Sequence, residues 1–163
     1  MSKEISHWQN RTQEHKSKIK NLLSSDKFLQ TDIDPIAKKV TSEAYEKIDC
    51  LSCGNCCRTT VTTFKDEDIS KASRYLLISK KEFINKYLID DMGEWTTIST
   101  PCPFLLEDNT CKIYEARPQA CESYPHTQRK DFKKKKQSHL ANYDICPITF
   151  YVLERMNDLL DQK

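Results

Sequence analysis

Cys50-Leu-Ser-Cys53-Gly-Asn-Cys56-Cys57 places four thiols within eight residues of the chain. A Cys-x-x-Cys pair sets two thiolates on one tight turn, close enough to share a metal. Two such pairs overlap here, because Cys53 ends the first pair and begins the second. Gly54 suits the turn, since glycine accepts a positive φ and lets backbone amides approach sulfur. This stretch therefore predicts a metal site and a domain that folds around it.

The other cysteines follow at wider spacing, and all eight are predicted metal ligands. Side chains of adjacent residues point in different directions, so we expect Cys56 and Cys57 to serve different metals, unless one of them bridges. Eight thiolates suffice for two four-cysteine centres, or for one cluster and one zinc. The full predicted ligand set is Cys50, Cys53, Cys56, Cys57, Cys102, Cys111, Cys121 and Cys146.

Two cofactors fit these spacings. Tetrahedral zinc sites use pairs of Cys-x-x-Cys knuckles, and only the first half of the chain offers one. Cys-x-x-Cys-x-x-Cys with a remote Cys-Pro is typical of [4Fe–4S] ligation, and both Cys102-Pro103 and Cys146-Pro147 are such dipeptides. Neither stands at the bacterial ferredoxin spacing. The ligand pattern favours an iron–sulfur cluster and leaves zinc as the alternative.

The composition limits what else can stabilise the fold. The chain has 163 residues, of which 37% are hydrophobic and 31% charged, so the apolar supply is thin for one domain of this size. Metal–thiolate bonds can supply the remaining stability, because binding to a site absent from the unfolded chain adds to folding free energy. The net charge of +2 counts thiols as neutral, and their ionisation would make it about −6. It does not indicate a nucleic-acid partner.

The polar first residues, Met1 to Ile5, predict no signal peptide, and no apolar run approaches the length of a membrane span. We therefore expect a cytoplasmic protein without a membrane partner. Thiols stay reduced in that compartment, so the cysteine pattern favours metal binding over disulfides.

Hydrophobic periodicity and start signals predict a small α+β domain that is mostly helical. A weak apolar stripe predicts a first helix over 2–24, formed by Ile5, Trp8, Ile19, Leu22 and Leu23. Four helix starts are predicted, at Asp34-Pro35, Asp66, the Ser79–Glu82 capping box and Pro147. The predicted strands are 59–64 and 95–100, and a hairpin is predicted over 104–114. We expect residues 1–48 to form a helical extension, and residues 49–163 a metal-binding domain closed by a C-terminal helix.

Several side chains near the cysteines are candidates for supporting roles. A four-cysteine centre carries negative charge and needs donors around it, which Arg58, Lys112 and Arg117 could supply; a solvated cation is the alternative for each. His126 follows Tyr124-Pro125 near Cys121 and is interpreted as a metal ligand, a general base or a plain exposed histidine.

The motifs resemble the CxxCxxCC cysteine-cluster family, described as a zinc- or iron-chelating domain whose members are often labelled Fe–S oxidoreductases. The resemblance rests on three stretches, with Cys146 resembling a later family cysteine: Cys50–Cys57, Pro101–Leu105 and Cys111–Pro125. It implies metal ligation by the matching cysteines. Flagellin lysine N-methylases resemble the family in the same motif, which implies a protein-modifying methylase-like or redox enzyme as an alternative function. The chain lacks a glycine-rich nucleotide loop.

A further alternative is a nucleic-acid-associated module. The segment 129–136 is basic, and basic runs bind phosphates. Asp131 interrupts it, only Phe132 offers stacking, and a solvated loop is the favoured interpretation. The sequence names no protein partner or substrate.

Overall fold

The computed structural model describes residues 8–161, so the predicted helix residues 2–7, including Ile5, lie outside it. The predicted fold class is confirmed: the protein is mostly helical with one small three-stranded antiparallel sheet. Within the described part, no helix combines the length and apolar character needed to cross a membrane.

The chain divides into two compact units. The helical unit joins the N-terminal segment up to Asp49 with residues from Pro125 onward, and the cysteine unit is Cys50–Tyr124. The sequence groups residues 125–163 with the cysteine cluster, whereas in the structure residues 125–161 pack with the N-terminal helices. The division into an extension and a metal-binding domain stays a prediction about function.

The helical unit has three long helices, α1 (Trp8–Ser24), α3 (Ile33–Lys47) and α10 (Pro147–Asp161), and the short helices α2 (Asp26–Gln30) and α9 (Lys136–Tyr143). Helix α10 contacts both α1 and α3 because its apolar face is unusually wide. Pro147 opens it as predicted, and Ile148, Val152, Met156 and Leu160 are buried. Glu154 ties the elements together: it accepts hydrogen bonds from the Tyr143 hydroxyl and lies 2.9 Å from His15 Nδ1.

Helix α3 begins earlier than predicted. Asp32 is its N-cap, so Asp34 lies in the first turn. The Asp34 carboxylate accepts the backbone N–H groups of Asp131 and Phe132, at 2.9 and 3.0 Å. These two bonds lower the pKa of Asp34. Asp34, which the sequence predicts to start its own helix, therefore caps the distant 3₁₀ helix Phe132–Lys135. No local pattern could indicate this role.

The cysteine unit begins with two short helices, α4 (Cys50–Cys53) and α5 (Asn55–Thr59), followed by strand β1 (Thr63–Phe64). Helices α6 (Asp66–Tyr75) and α7 (Lys80–Tyr87) pack together, and β2 (Leu88–Asp91) and β3 (Glu94–Thr97) complete the sheet in the order β1-β3-β2. Helix α8 (Gln119–Ser123) carries Cys121. The aromatic core includes Phe64, Phe83 and Phe104, with Phe83 and Phe104 stacked at 5.7 Å.

The strand predictions differ from the structure in their bounds, and the strand predicted over 95–100 is β3, which ends at Thr97. The strand predicted over 59–64 is shortened, because Thr59 ends α5. The hairpin predicted over 104–114 is reduced to one bridge between Leu105 and Cys111, and the regular hairpin is β2–β3, where Met92 and Gly93 take positive φ at the turn. Ser79 caps α7 as predicted, accepting the Glu82 N–H at 3.1 Å.

Candidate metal centre

The turn between α4 and α5 depends on glycine. Gly54 has φ +57, a left-handed conformation that costs a residue with a Cβ about 1–2 kcal/mol. A Cβ there would also lie 3.1 Å from Arg58 Nη1 and 3.2 Å from the Cβ of Asn109. The Gly54 N–H donates to the Cys50 carbonyl at 3.1 Å and closes the turn. Glycine thus lets the chain fold back sharply between Cys53 and Cys56.

Cys56 and Cys57 leave α5 as neighbours, with their sulfur atoms 4.0 Å apart. The hydrogen bond between the two thiols raises the pKa of Cys57, and burial raises it further. Both thiols are half-buried. Their assignment to different metals stays a prediction.

The segment around Cys102 and Cys111 is attached to α5 by the backbone. The Cys102 N–H donates to the Cys57 carbonyl at 2.7 Å, which brings the two residues together across 45 positions of sequence. Cys111 pairs with Leu105 in the isolated bridge, and the Lys112 N–H donates to the Phe104 carbonyl at 2.8 Å. Cys102 and Cys111 also pack against the aromatic core of the cysteine unit. The core therefore determines where these two thiols lie.

Cys121 is positioned by two polar side chains. Asp68 accepts the Lys65 N–H with one carboxylate oxygen and the Gln119 N–H with the other, both at 3.0 Å, so it links the start of α6 to the start of α8. The Thr62 hydroxyl lies 3.3 Å from Cys121 Sγ; burial raises the pKa of that thiol, and the contact with Thr62 opposes part of the rise. Cys121 is half-buried beside β1.

Four of these thiols affect one another's pKa values, and we call them the thiol quartet: Cys57, Cys102, Cys111 and Cys121. Burial raises the pKa of Cys102 to about 11 and that of Cys121 to about 11, and burial is also the main cause of the raised pKa of Cys111. Each of these three pKa values is raised further by the charge of Cys57. The four thiols are therefore neighbours that oppose one another's ionisation, and a cation among them would relieve that repulsion.

Across residues 8–161, no three His, Cys, Asp or Glu side chains already stand close enough together to hold a metal ion. Nor does any disulfide join cysteines in that range. The donor type of the quartet nevertheless fits zinc and iron, because thiolate sulfur is the ligand that both zinc sites and iron–sulfur clusters use most. Loading would require the thiols to lose their protons and move into coordination distance.

Two of the three candidate cations lie near thiols. Arg58 donates to the Cys53 carbonyl at 2.9 Å, and its charge lowers the otherwise raised pKa of Cys57. Arg117 donates to the Tyr114 carbonyl at 2.7 Å and lies 4.0 Å above the Tyr114 ring; its charge opposes the raised pKa of Cys111. Lys112 is exposed.

The structure places the remaining site candidates differently. Cys50 is exposed and Cys53 half-buried on α4, in the same unit as the quartet. Cys146 is buried in the helical unit, where its N–H donates to the Asn142 carbonyl at 2.8 Å. His126 also belongs to the helical unit and is half-buried with φ +68.

The basic segment 129–136 is partly engaged in the helical unit. Phe132 is fully buried and stacks on His139 at 3.9 Å, so its ring is not presented to a nucleotide base. Lys133 donates to the Leu29 carbonyl at 2.7 Å, and Lys134 lies 3.2 Å from the Asp131 carboxylate.

Thr62, Asp68 and Asn109 are parts of the site that the sequence did not reveal. Asp68 belongs to an acidic helix start, and such residues usually cap their own helix. Asn109 lies in a polar turn, yet its amide donates to the Ser52 carbonyl at 3.3 Å across 57 residues. Local sequence carries no signal for contacts of this range.

A family profile matches residues 49–147, well over half of the chain. The profile is that of the CxxCxxCC domain, which is described as zinc- or iron-chelating. No curated protein and no solved structure gives a significant match to the chain.

Proposed function

Because the chain belongs to the CxxCxxCC family of domains described as zinc- or iron-chelating, we propose that the thiol quartet is its principal metal centre. The observation that carries the proposal is geometric: the Cys102 N–H donates to the Cys57 carbonyl at 2.7 Å, and Cys102 and Cys111 pack against one aromatic core. The mutual effect of the four thiols on their pKa values agrees with it. Half-buried thiols that repel one another as anions form a site that a soft cation stabilises. The bound species is zinc or an iron–sulfur cluster.

The surrounding residues have definite tasks in such a centre. The Thr62 hydroxyl can donate to the Cys121 thiolate, and the Arg58 and Arg117 guanidinium groups offset negative charge near Cys57 and Cys111. Donors of this kind orient metal-bound thiolates and tune their affinity. A bound zinc would hold the segments together, and a bound cluster would in addition carry electrons.

The three other thiols of the cysteine unit widen the proposal. Cys56 Sγ lies 4.0 Å from Cys57 Sγ, so the turn carrying Cys50, Cys53 and Cys56 adjoins the quartet. A second centre on this turn, or a bridge through Cys56, would use these thiols. The overlapping Cys-x-x-Cys pairs support that extension; Cys146, in the helical unit, is no part of it.

Metal analysis of the full chain, purified without oxygen, tests the proposal. We expect stoichiometric zinc in colourless protein, or iron with acid-labile sulfide and broad visible absorption. Folded protein that takes up neither metal on reconstitution would refute a metal centre.

Single substitutions test the quartet itself. Cys57→Ser and Cys121→Ser are expected to weaken metal binding at least about tenfold in competition with a chromophoric chelator. Cys146→Ser, in the helical unit, is the matched control and should leave the affinity of the quartet unchanged. Equal losses in all three variants would contradict the assignment of the centre to the quartet.

A further inference from the structure

Two side chains join the Cys-x-x-Cys turn to the turn that precedes Cys111. Arg58 donates through Nη1 to the Cys53 carbonyl at 2.9 Å and through Nη2 to the Asn109 Oδ1 atom. Asn109 in turn donates through Nδ2 to the Ser52 carbonyl at 3.3 Å. One amide and one guanidinium thus connect two ligand-bearing segments of the cysteine unit.

The bonded carbonyls are the ones that need partners. Helix α4 has only four residues, so no N–H group within the helix donates to its last carbonyl groups. Side chains commonly satisfy such groups at a helix C-terminus. Arg58 and Asn109 do so here from outside α4, and the planar guanidinium reaches the Cys53 carbonyl and Asn109 together.

Asn109 and Gly54, which lie in the two turns, both have left-handed backbone conformations. Asn109 has φ +69, the left-handed conformation that asparagine tolerates better than most residues, and its N–H donates to the Leu106 carbonyl at 3.0 Å. Gly54 is buried, and a Cβ added there would be a tight contact, 3.2 Å from the Asn109 Cβ. The two turns therefore approach closely enough for side chains to bridge them.

We propose that Arg58 and Asn109 form a clasp that holds the Cys50–Cys53 turn against the Cys111 turn before metal binds. Both are positioning residues, because they bond backbone carbonyls beside the ligands and leave the thiols available. The clasp lowers the conformational freedom that metal binding must remove, and so raises metal affinity. This inference rests on the proposed metal-binding function, but the clasp itself exists in metal-free protein.

Asn109→Gly is the main test variant, because it removes both side-chain bonds and keeps the left-handed backbone accessible. In metal-free full-length protein we expect the amides of Gly54 and Arg58, which are bonded to the Cys50 and Gly54 carbonyls, to exchange about two- to tenfold faster than in the unaltered protein. Asn109→Asp keeps the acceptor for Arg58 and loses the donor to Ser52, so its effect should be smaller.

Asp108→Asn is the matched control. Asp108 lies in the same turn, and its carboxylate accepts from the Thr110 N–H and hydroxyl without contacting the clasp. Its exchange rates at Gly54 and Arg58 should equal those of the unaltered protein. Zinc or iron affinity, measured by chelator competition, should fall about tenfold in Asn109→Gly and stay unchanged in Asp108→Asn.

The outcomes separate the clasp from the metal-binding function. Identical exchange in unaltered protein and Asn109→Gly, including absence of protection in both, would overturn the clasp. Faster exchange with unchanged metal affinity would overturn its preorganising role. Unaltered protein that binds neither zinc nor iron would instead refute the proposed function, and the exchange comparison would still decide whether the clasp forms.

Discussion

His139 gives the helical unit a built-in sensitivity to acid. Its side chain lies on α9, is 0% exposed, and neither ring nitrogen has a hydrogen-bond partner. Burial lowers its pKa from 6.5 to about 4, and the charges of His126 and Lys135 act in the same direction. The Phe132 backbone, which does not reach hydrogen-bond geometry with the ring, opposes this only weakly.

The sign of the effect follows from proton binding. The folded pKa is below the unfolded value, so the unfolded chain takes up the proton first, and stability falls as the pH drops from about 6.5 towards 4. Between pH 7 and pH 5, linkage with these two pKa values gives a loss of about 2 kcal/mol from this residue. Below pH 4 the loss levels off, because the folded protein is then protonated as well.

Urea unfolding of the helical unit measures this loss. Trp8 is buried in that unit and Trp95 belongs to the cysteine unit, so a Trp95→Phe background leaves Trp8 as the fluorescent probe. His139→Leu removes the titrating ring at similar volume and should change stability at pH 7 by no more than about 1 kcal/mol. The difference in unfolding free energy between His139 protein and His139→Leu should shift by about 2 kcal/mol from pH 7 to pH 5 in favour of leucine.

Carboxylates titrate equally in both proteins, so the difference isolates His139. The control His15→Leu, at a partly exposed histidine of the same unit, should keep the acid-dependent loss that His139 causes. Parallel stability curves for the His139 protein and His139→Leu across this pH range would refute the reasoning.

Three further substitutions have definite expected outcomes. Thr62→Val removes the hydroxyl beside Cys121 Sγ and should weaken metal binding severalfold in chelator competition; an unchanged affinity would contradict a role of this hydroxyl at the bound thiolate. Gly54→Ala should destabilise the cysteine unit by at least about 1 kcal/mol in urea unfolding followed by Trp95 fluorescence, because alanine is strained at φ +57; an unchanged midpoint would contradict this. Asp34→Asn should cost about 1 kcal/mol at pH 7, and the difference from the aspartate protein should begin to shrink as the pH falls below about 3.8, the ordinary carboxyl pKa, and disappear once the pH is below the lowered folded pKa; a difference of the same size at pH 7 and pH 2 would count against the charged cap.

The sequence by itself determined the features that depend on a few neighbouring residues. Ser79 caps α7 and Pro147 opens α10 as predicted, since a cap needs only the next turn of helix. The sharp turn at Gly54 and the thiol donors are also local, because spacing in the chain decides whether two cysteines can share a turn. Membership of a metal-chelating family follows from that same local pattern.

Only the tertiary structure decided which distant residues meet. A backbone hydrogen bond joins Cys57 to Cys102 across 45 residues, and the Asn109 amide reaches Ser52 across 57 residues. Asp34 read as a local helix start yet caps a segment 97 residues away. Residues 125–161 pack with the N-terminal helices because α10 has a wide apolar face that α1 and α3 cover. Such pairings result from the burial of whole helix faces. The sequence shows the periodicity of an apolar face, but it does not show which other element covers that face.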